Sequence, residues 1–168
     1  MQQPERQVRN NPEILHLNRE PAAKRVSSGK AKVMLDMRTE EGAKAALGGL
    51  YPAASLYMDC SWVQAHPEAV QKLANALVKT LRWIKANTPD AIAAKMPAEY
   101  ASGDPQLYVQ AIHDSIGMFN GDGLMKADGA KNVLEVLSQF SPNVKGKKDT
   151  VDLSKTYTTE FTSKVAAS

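Results

Sequence analysis

Apolar positions along this chain fall into two short runs and then a series of helical stripes. Residues 1–30 carry mostly polar side chains with Pro4, Pro12 and Pro21 among them. Their lack of periodicity predicts a weakly structured leader. Ala31 to Arg38 (AKVMLDMR) is a mostly apolar run after Gly29 and predicts a buried strand. Ala53 to Met58 (AASLYM) predicts a second, and Tyr51-Pro52 ahead of it suits the first residues or the edge of a strand. Between the two, Thr39 to Leu47 is small and charged, and Gly48-Gly49 breaks any helix.

From His66 onward the period changes. His66-Pro67 opens a helix, because proline is tolerated at the first helical position. Val70, Leu73, Leu77, Leu81 and Ile84 recur at spacings of three and four and predict one apolar stripe. Thr88-Pro89 and Asp104-Pro105 are two further cap-plus-proline starts. The helix after Asp104 aligns Tyr108, Ile112, Ile116 and Phe119. Asp128 is placed to cap another, with Val133, Leu134, Leu137 and Phe140 turned inward. Tyr157, Phe161 and Val165, four residues apart, predict a final helix from about Ser154. The order strand, strand, then helices predicts helices packed on a small, incomplete sheet, since two strands alone make a poor sheet.

Length and composition narrow the class without naming a function. The 168 residues are 43% hydrophobic and 23% charged, which fits a globular chain able to bury a core without staples. The single cysteine, Cys60, excludes an internal disulfide framework and a cysteine-cluster metal site. No run of 18 apolar residues is present, and the first residues, MQQPERQVRNN, contain no apolar signal-peptide core. The net charge of +3 is unevenly placed. Residues 1–32 hold seven basic and three acidic side chains, while the rest is close to neutral. A basic arm suits a nucleic acid or a membrane surface. It carries no interleaved aromatics for base stacking, and a solvated leader explains it as well.

Catalytic chemistry finds little support in the residue pattern. His16, His66 and His113 are scattered and form no metal-ligand spacing. Cys60 has no adjacent basic residue or histidine to activate it. The stretch NGDGLMKADG (120–129) lacks both the Gly-Lys-Ser/Thr of a phosphate loop and the oxygen ligands of a calcium loop, so it predicts a helix–helix connection. The expectation is a chain without enzymatic activity, cofactor or metal.

Six segments, taken in order, resemble a known family: GKAKVMLDMRTEEG (29–42), GGLYPAASLYM (48–58), HPEAVQKLANALVKTLRWI (66–84), AAKMPAEY (93–100), MFNGDGLMKADG (118–129) and PNVKGKKDTVDLSKTYTTEF (142–161). Together they look like the C-terminal part of the periplasmic substrate-binding proteins of ABC transporters. The branch is the nitrate/sulfonate/taurine family, which also includes thiamine-pyrimidine-synthase-like proteins. The resemblance implies an α/β fold, here a partial periplasmic-binding-protein type II fold with most of its helices on an incomplete sheet. It implies a remnant of the second lobe within 1–30 and the C-terminal part of the first lobe in 31–168. It also implies that the chain is a truncated gene product or a fragment.

The implied function is that of a solute-binding component, or a truncated form of one, in an ABC uptake transporter. The solute would be a small organic or inorganic anion such as a sulfonate, nitrate or taurine. The implied setting is the periplasm, with an ABC permease as partner and no nucleic acid. The segment near the family's hinge matches Thr39, Gly48, Gly49 and Tyr51 here, so these four are the candidate ligand-binding residues. Glycine lets backbone approach a ligand, and tyrosine offers a hydroxyl and a ring face. A plain turn at Gly48-Gly49 with Tyr51 packed beside it remains the alternative. A lobe holding only half of the ligand's partners would bind weakly. Its open sheet edge would favour a homo-oligomer. The competing reading is a cytosolic helical interaction or nucleic-acid-binding module that uses the basic leader. An enzyme of the pyrimidine-synthase branch is disfavoured by the single cysteine.

Overall fold

Turn chemistry divides the residues described by the computed structural model, 22–101 and 103–165, into short helices around one long one. These are α1 (Ala22–Ser27), α2 (Glu40–Leu47), α3 (Cys60–Ala65), α4 (Pro67–Ala86), α5 (Pro89–Ala93), α6 (Pro105–Ser115), α7 (Ala127–Phe140) and α8 (Glu160–Ser163). Single 3-10 turns stand at Ala98–Ala101, Ile116–Met118, Lys148–Thr150 and Leu153–Lys155. No helix among the described residues is long and apolar enough to cross a membrane.

Short polar side chains start most of these helices by accepting otherwise orphaned N–H groups. Thr39 Oγ1 accepts from the Gly42 N–H at 3.0 Å and opens α2. The Asp59 carboxylate accepts from Ser61 and Trp62 at 2.8 and 3.2 Å and opens α3. Thr88 and Asp104, the two residues expected to cap before proline, do so for α5 and α6. Asp128 departs from expectation. It lies inside the first turn of α7, where its charge complements the helix dipole, and Lys126 precedes the helix without a side-chain cap. The last helix is also shorter than expected, because Asp152 captures the Ser154 N–H and tightens that turn into a 3-10 one.

The core is small and built from small residues. Val70, Ala74 and Val78, each four residues apart, form the inward line of α4. Ile92 of α5, Ala130 of α7 and Val165 are also buried. The expected α4 stripe is therefore rotated. Leu81 and Ile84 are partly covered, while Leu73 and Leu77 stand exposed on its flank. Small side chains at the contact let α8 come close. Gln71 Nε2 then reaches the Phe161 carbonyl oxygen at 2.8 Å and ties the C-terminal segment to α4. Gly123, at φ 69, brings the 120–126 connection against the same core. A Cβ built there would lie 3.0 Å from Val78 Cγ2. Elsewhere α5 packs on α6, and α1 touches α6. Residues 22–27 of the expected leader are thus helical, and residues 1–21 lie outside the described residues.

The α/β expectation is corrected by the fold: no strand or sheet is present among the described residues. Both apolar runs are there, but neither has a ladder partner. Residues 51–59 run without a bend or a turn, whereas the 31–38 run bends at Met34 and turns at Met37 and Arg38. Among the described residues, no backbone–backbone hydrogen bond involves residues 32–37 or 51–58. Strand propensity expresses how well a side chain fits a pleated surface beside a neighbour, so without the neighbour it specifies no sheet. Nor is either run buried. Val33, Leu35, Met37 and Leu56 are exposed, and Met34 and Tyr57 reach 93% and 90%.

Candidate functional site

An open groove lies where the residues after α2 cross α7. Asn132, on α7, donates from Nδ2 to the Leu50 carbonyl oxygen at 3.1 Å. Gly129, buried in the first turns of the same helix, lets Pro52 lie directly on it, since a Cβ there would come within 3.1 Å of Pro52 Cδ. These two contacts hold Tyr51–Ser55 along the helix. The C-terminal segment, from Val144 to Tyr157, closes the other side. The resulting groove has a volume of about 470 Å³.

Its chemistry is uneven in a useful way. Val133, Leu134 and Leu137 of α7, with Val144, Val151 and Leu153 opposite, make apolar walls. Tyr51, Ser55, Thr156 and Tyr157 add hydroxyl groups, and no charged side chain lines the groove. The Thr156 hydroxyl donates to the Leu153 carbonyl oxygen at 2.8 Å, so its proton is already used. Such a site accepts a carbon body and offers O–H donors to acceptor oxygens. It offers no ion pair to offset the desolvation of a bare inorganic anion. Among the described residues, no cluster of three or more His, Cys, Asp or Glu could hold a metal ion.

The four candidate residues fall into separate places. Tyr51 lines the groove. Gly49 borders it from behind, packed on Asn132, with a Cβ position 3.3 Å from Asn132 Cγ. Gly48 ends α2 in the left-handed region at φ 81. Thr39 stands at the opposite end of that eight-residue helix, about 12 Å of rise away, with its hydroxyl oxygen engaged as the cap. The groove's other walls were legible only in part. The apolar face of α7 reads as core in the sequence, and Val144, Val151 and Leu153 are sparse apolar residues in a charged stretch, a weak signal for a wall.

A second cluster was not signalled by the sequence. Arg38 donates to both oxygens of Asp36, at 2.8 and 2.6 Å, and its other terminal nitrogen lies 3.2 Å from Asp114 on α6. Asp114 also accepts from Gln110 at 2.8 Å and faces His113 Nδ1 at 3.2 Å. Arg38 therefore clasps the end of the 31–38 run to α6. Hydrogen bonds from the Arg38 side chain, then its backbone N–H, hold the Asp36 carboxyl at about 2, below its ordinary 3.8. Contacts with His113, Gln110 and Arg38 lower Asp114. A carboxyl lowered on folding stabilises the fold above its ordinary pKa, and that contribution is lost as the pH falls through the folded value. The melting temperature should therefore drop as the pH falls from about 4 to about 2. Arg38→Ala should flatten part of that slope, with the remainder carried by Asp59 and Asp152, which are lowered by their own cap contacts. Circular-dichroism melts across this range check both statements.

The described residues form a helical fold with an open apolar groove edged by hydroxyl groups. No family model and no curated protein matches the chain. A solved structure of a protein from Bordetella bronchiseptica RB50 is similar, with 34% sequence identity and a TM-score of 0.79. The similarity covers 85% of this chain and 44% of that one, so the chain spans less than half the length of that solved neighbour.

Proposed function

We propose that the chain is a solute-binding component of an ABC-type uptake system, taking a small organic anion such as a sulfonate in the groove at Tyr51. The observation that carries this reading is the groove itself: apolar walls, with the hydroxyls of Tyr51, Ser55 and Tyr157 at its polar positions and no charge. A sulfonate or carboxylate head accepts hydrogen bonds from those hydroxyls, while its carbon body lies against Val133, Leu134 and Leu137. An organic anion suits this lining better than nitrate, which has no apolar part to bury. The resemblance of the six segments to the nitrate/sulfonate/taurine family supplies the transport context, with a periplasmic setting and a permease partner.

Binding is expected to be weak, on the order of millimolar, because the open groove offers apolar walls and neutral hydroxyls and no cation to pair with the anion. An NMR titration with an alkane sulfonate, taurine and nitrate tests it. The sulfonate should shift the signals of Tyr51, Ser55, Val133 and Leu137, and nitrate should not. Tyr51→Phe removes one neutral hydrogen bond and should weaken the sulfonate about threefold to tenfold. Shifts scattered away from the groove, or a Tyr51→Phe variant that titrates unchanged, would refute the reading.

A further inference from the structure

We infer that the groove at Tyr51 binds neutral molecules more tightly than anions: compounds with an apolar body and an uncharged acceptor oxygen, of the class of ketones, amides and sulfones. This rests on the reading of the groove as a solute site and concerns the ligand class that its lining selects. The stretch of chain between α7 and α8 carries the argument. It holds four lysines, Lys145, Lys147, Lys148 and Lys155, yet none of them lines the groove. Val144, Val151 and Leu153 of the same stretch do. Lys148 is instead paired with Glu135 on α7, and Lys155 lies 3.5 Å from Asp152. Cations thus stand within a few residues of each apolar wall position on this side, and the chain turns its valines and leucine inward in their place. The facing helix does the same. Val133, Leu134 and Leu137 line the groove, while Lys131 and Glu135 do not.

An anion and a neutral acceptor meet the same hydroxyls, those of Tyr51, Ser55 and Tyr157, since the Thr156 proton is already given to the Leu153 carbonyl oxygen. An anion bonds to them more strongly, but it bonds to water more strongly as well. Moving it onto apolar walls gives up that hydration with no opposite charge in return. A neutral carbonyl or sulfonyl oxygen gives up less and keeps the same donors. The volume, about 470 Å³, lies in the range of sites that hold a whole ring or a chain of about six carbons beside the acceptor. Such a body favours charged and neutral ligands alike, so the charge decides their order.

Hexanesulfonate and hexyl methyl sulfone form a matched pair, with the same chain and sulfonyl group and a methyl in place of the charged oxygen. An NMR titration of the full chain with each tests the inference. Both should shift the signals of Val133 and Leu137, and the sulfone should bind at least about tenfold more tightly. Thr156→Lys, at an exposed position on the groove's edge, supplies the missing cation and should narrow that gap at least about threefold at low salt. Sulfonate binding in the groove as tightly as the sulfone, or more tightly, overturns the inference and leaves the solute reading standing. A sulfone that enters the groove while the sulfonate does not supports the inference and refutes the sulfonate as solute. Groove shifts from neither ligand refute both. A gap that Thr156→Lys leaves unchanged also overturns the inference, because the lack of a cation is then not its cause.

Discussion

Val78→Asp should abolish the cooperative thermal transition of the chain. Val78 is only 1% exposed, the most deeply buried large side chain among the described residues. It sits in the middle of α4, against the Gly123 connection, so a carboxylate there has no route to water. Leaving a charge buried and unpaired costs several kcal/mol, about as much as many small domains have in total. Protonation lessens the electrical cost and leaves an unsatisfied polar group in its place. Two milder substitutions calibrate the result. Val78→Ala leaves a cavity and should cost on the order of 2 kcal/mol. Leu73→Asp, on the exposed flank of the same helix, should change stability by less than about 1 kcal/mol. Far-ultraviolet circular dichroism on heating separates the three. A sharp, wild-type-like melt for Val78→Asp would mean that the α4 face assigned to the core is wrong.

The second large effect is expected at Gly42. Alanine is the better helix former by about 1 kcal/mol, so a helix-propensity argument expects Gly42→Ala to stabilise α2. The tertiary structure reverses that sign. A Cβ at Gly42 would coincide with the Asp36 carbonyl oxygen and crowd the Thr39 hydroxyl that caps the helix. The obstacle is backbone, which does not swing aside as a side chain would. The chain at 36–38 must move, and the Arg38 contact with Asp114 goes with it. A net loss of about 1–3 kcal/mol is expected, in the range of other overpacked sites. Arg38→Ala combined with Gly42→Ala should then cost less than the sum of the two singles, because both act on the same clasp. Full additivity in that double-mutant cycle would show that the glycine and the clasp are independent.

These two sites also show how far the sequence could be read. The helix starts at Thr88-Pro89 and Asp104-Pro105 were legible because a cap is a contact between residues two or three apart. The stops at Gly48 and Asn87, and the long run of α4, follow from the same local chemistry. The identity of the buried α4 face was not legible. Leucine outranks alanine in any hydrophobic ranking, yet Ala74 is inside and Leu73 outside, because the approach of α8 selects small residues at that contact. Of the candidate ligand residues, Tyr51 lines the groove. Thr39 stands at the far end of α2, a separation set by the length of that helix.

The strand expectation for Ala31 to Arg38 and Ala53 to Met58 shows the same limit from the other side. Apolar content and alternation are properties of a segment. A ladder is a property of two segments, and neither run has its second one among the described residues. Local pattern by itself determined the helix starts at Thr88-Pro89 and Asp104-Pro105 and which stretches are apolar, since those depend on neighbours along the chain. Only the tertiary structure decided which face of α4 is buried, that Asn132 and Gly129 hold Tyr51 and Pro52 along α7, and that the two apolar runs stay uncovered. Each of those depends on residues far apart in sequence, and their meeting is a matter of packing that no single segment encodes.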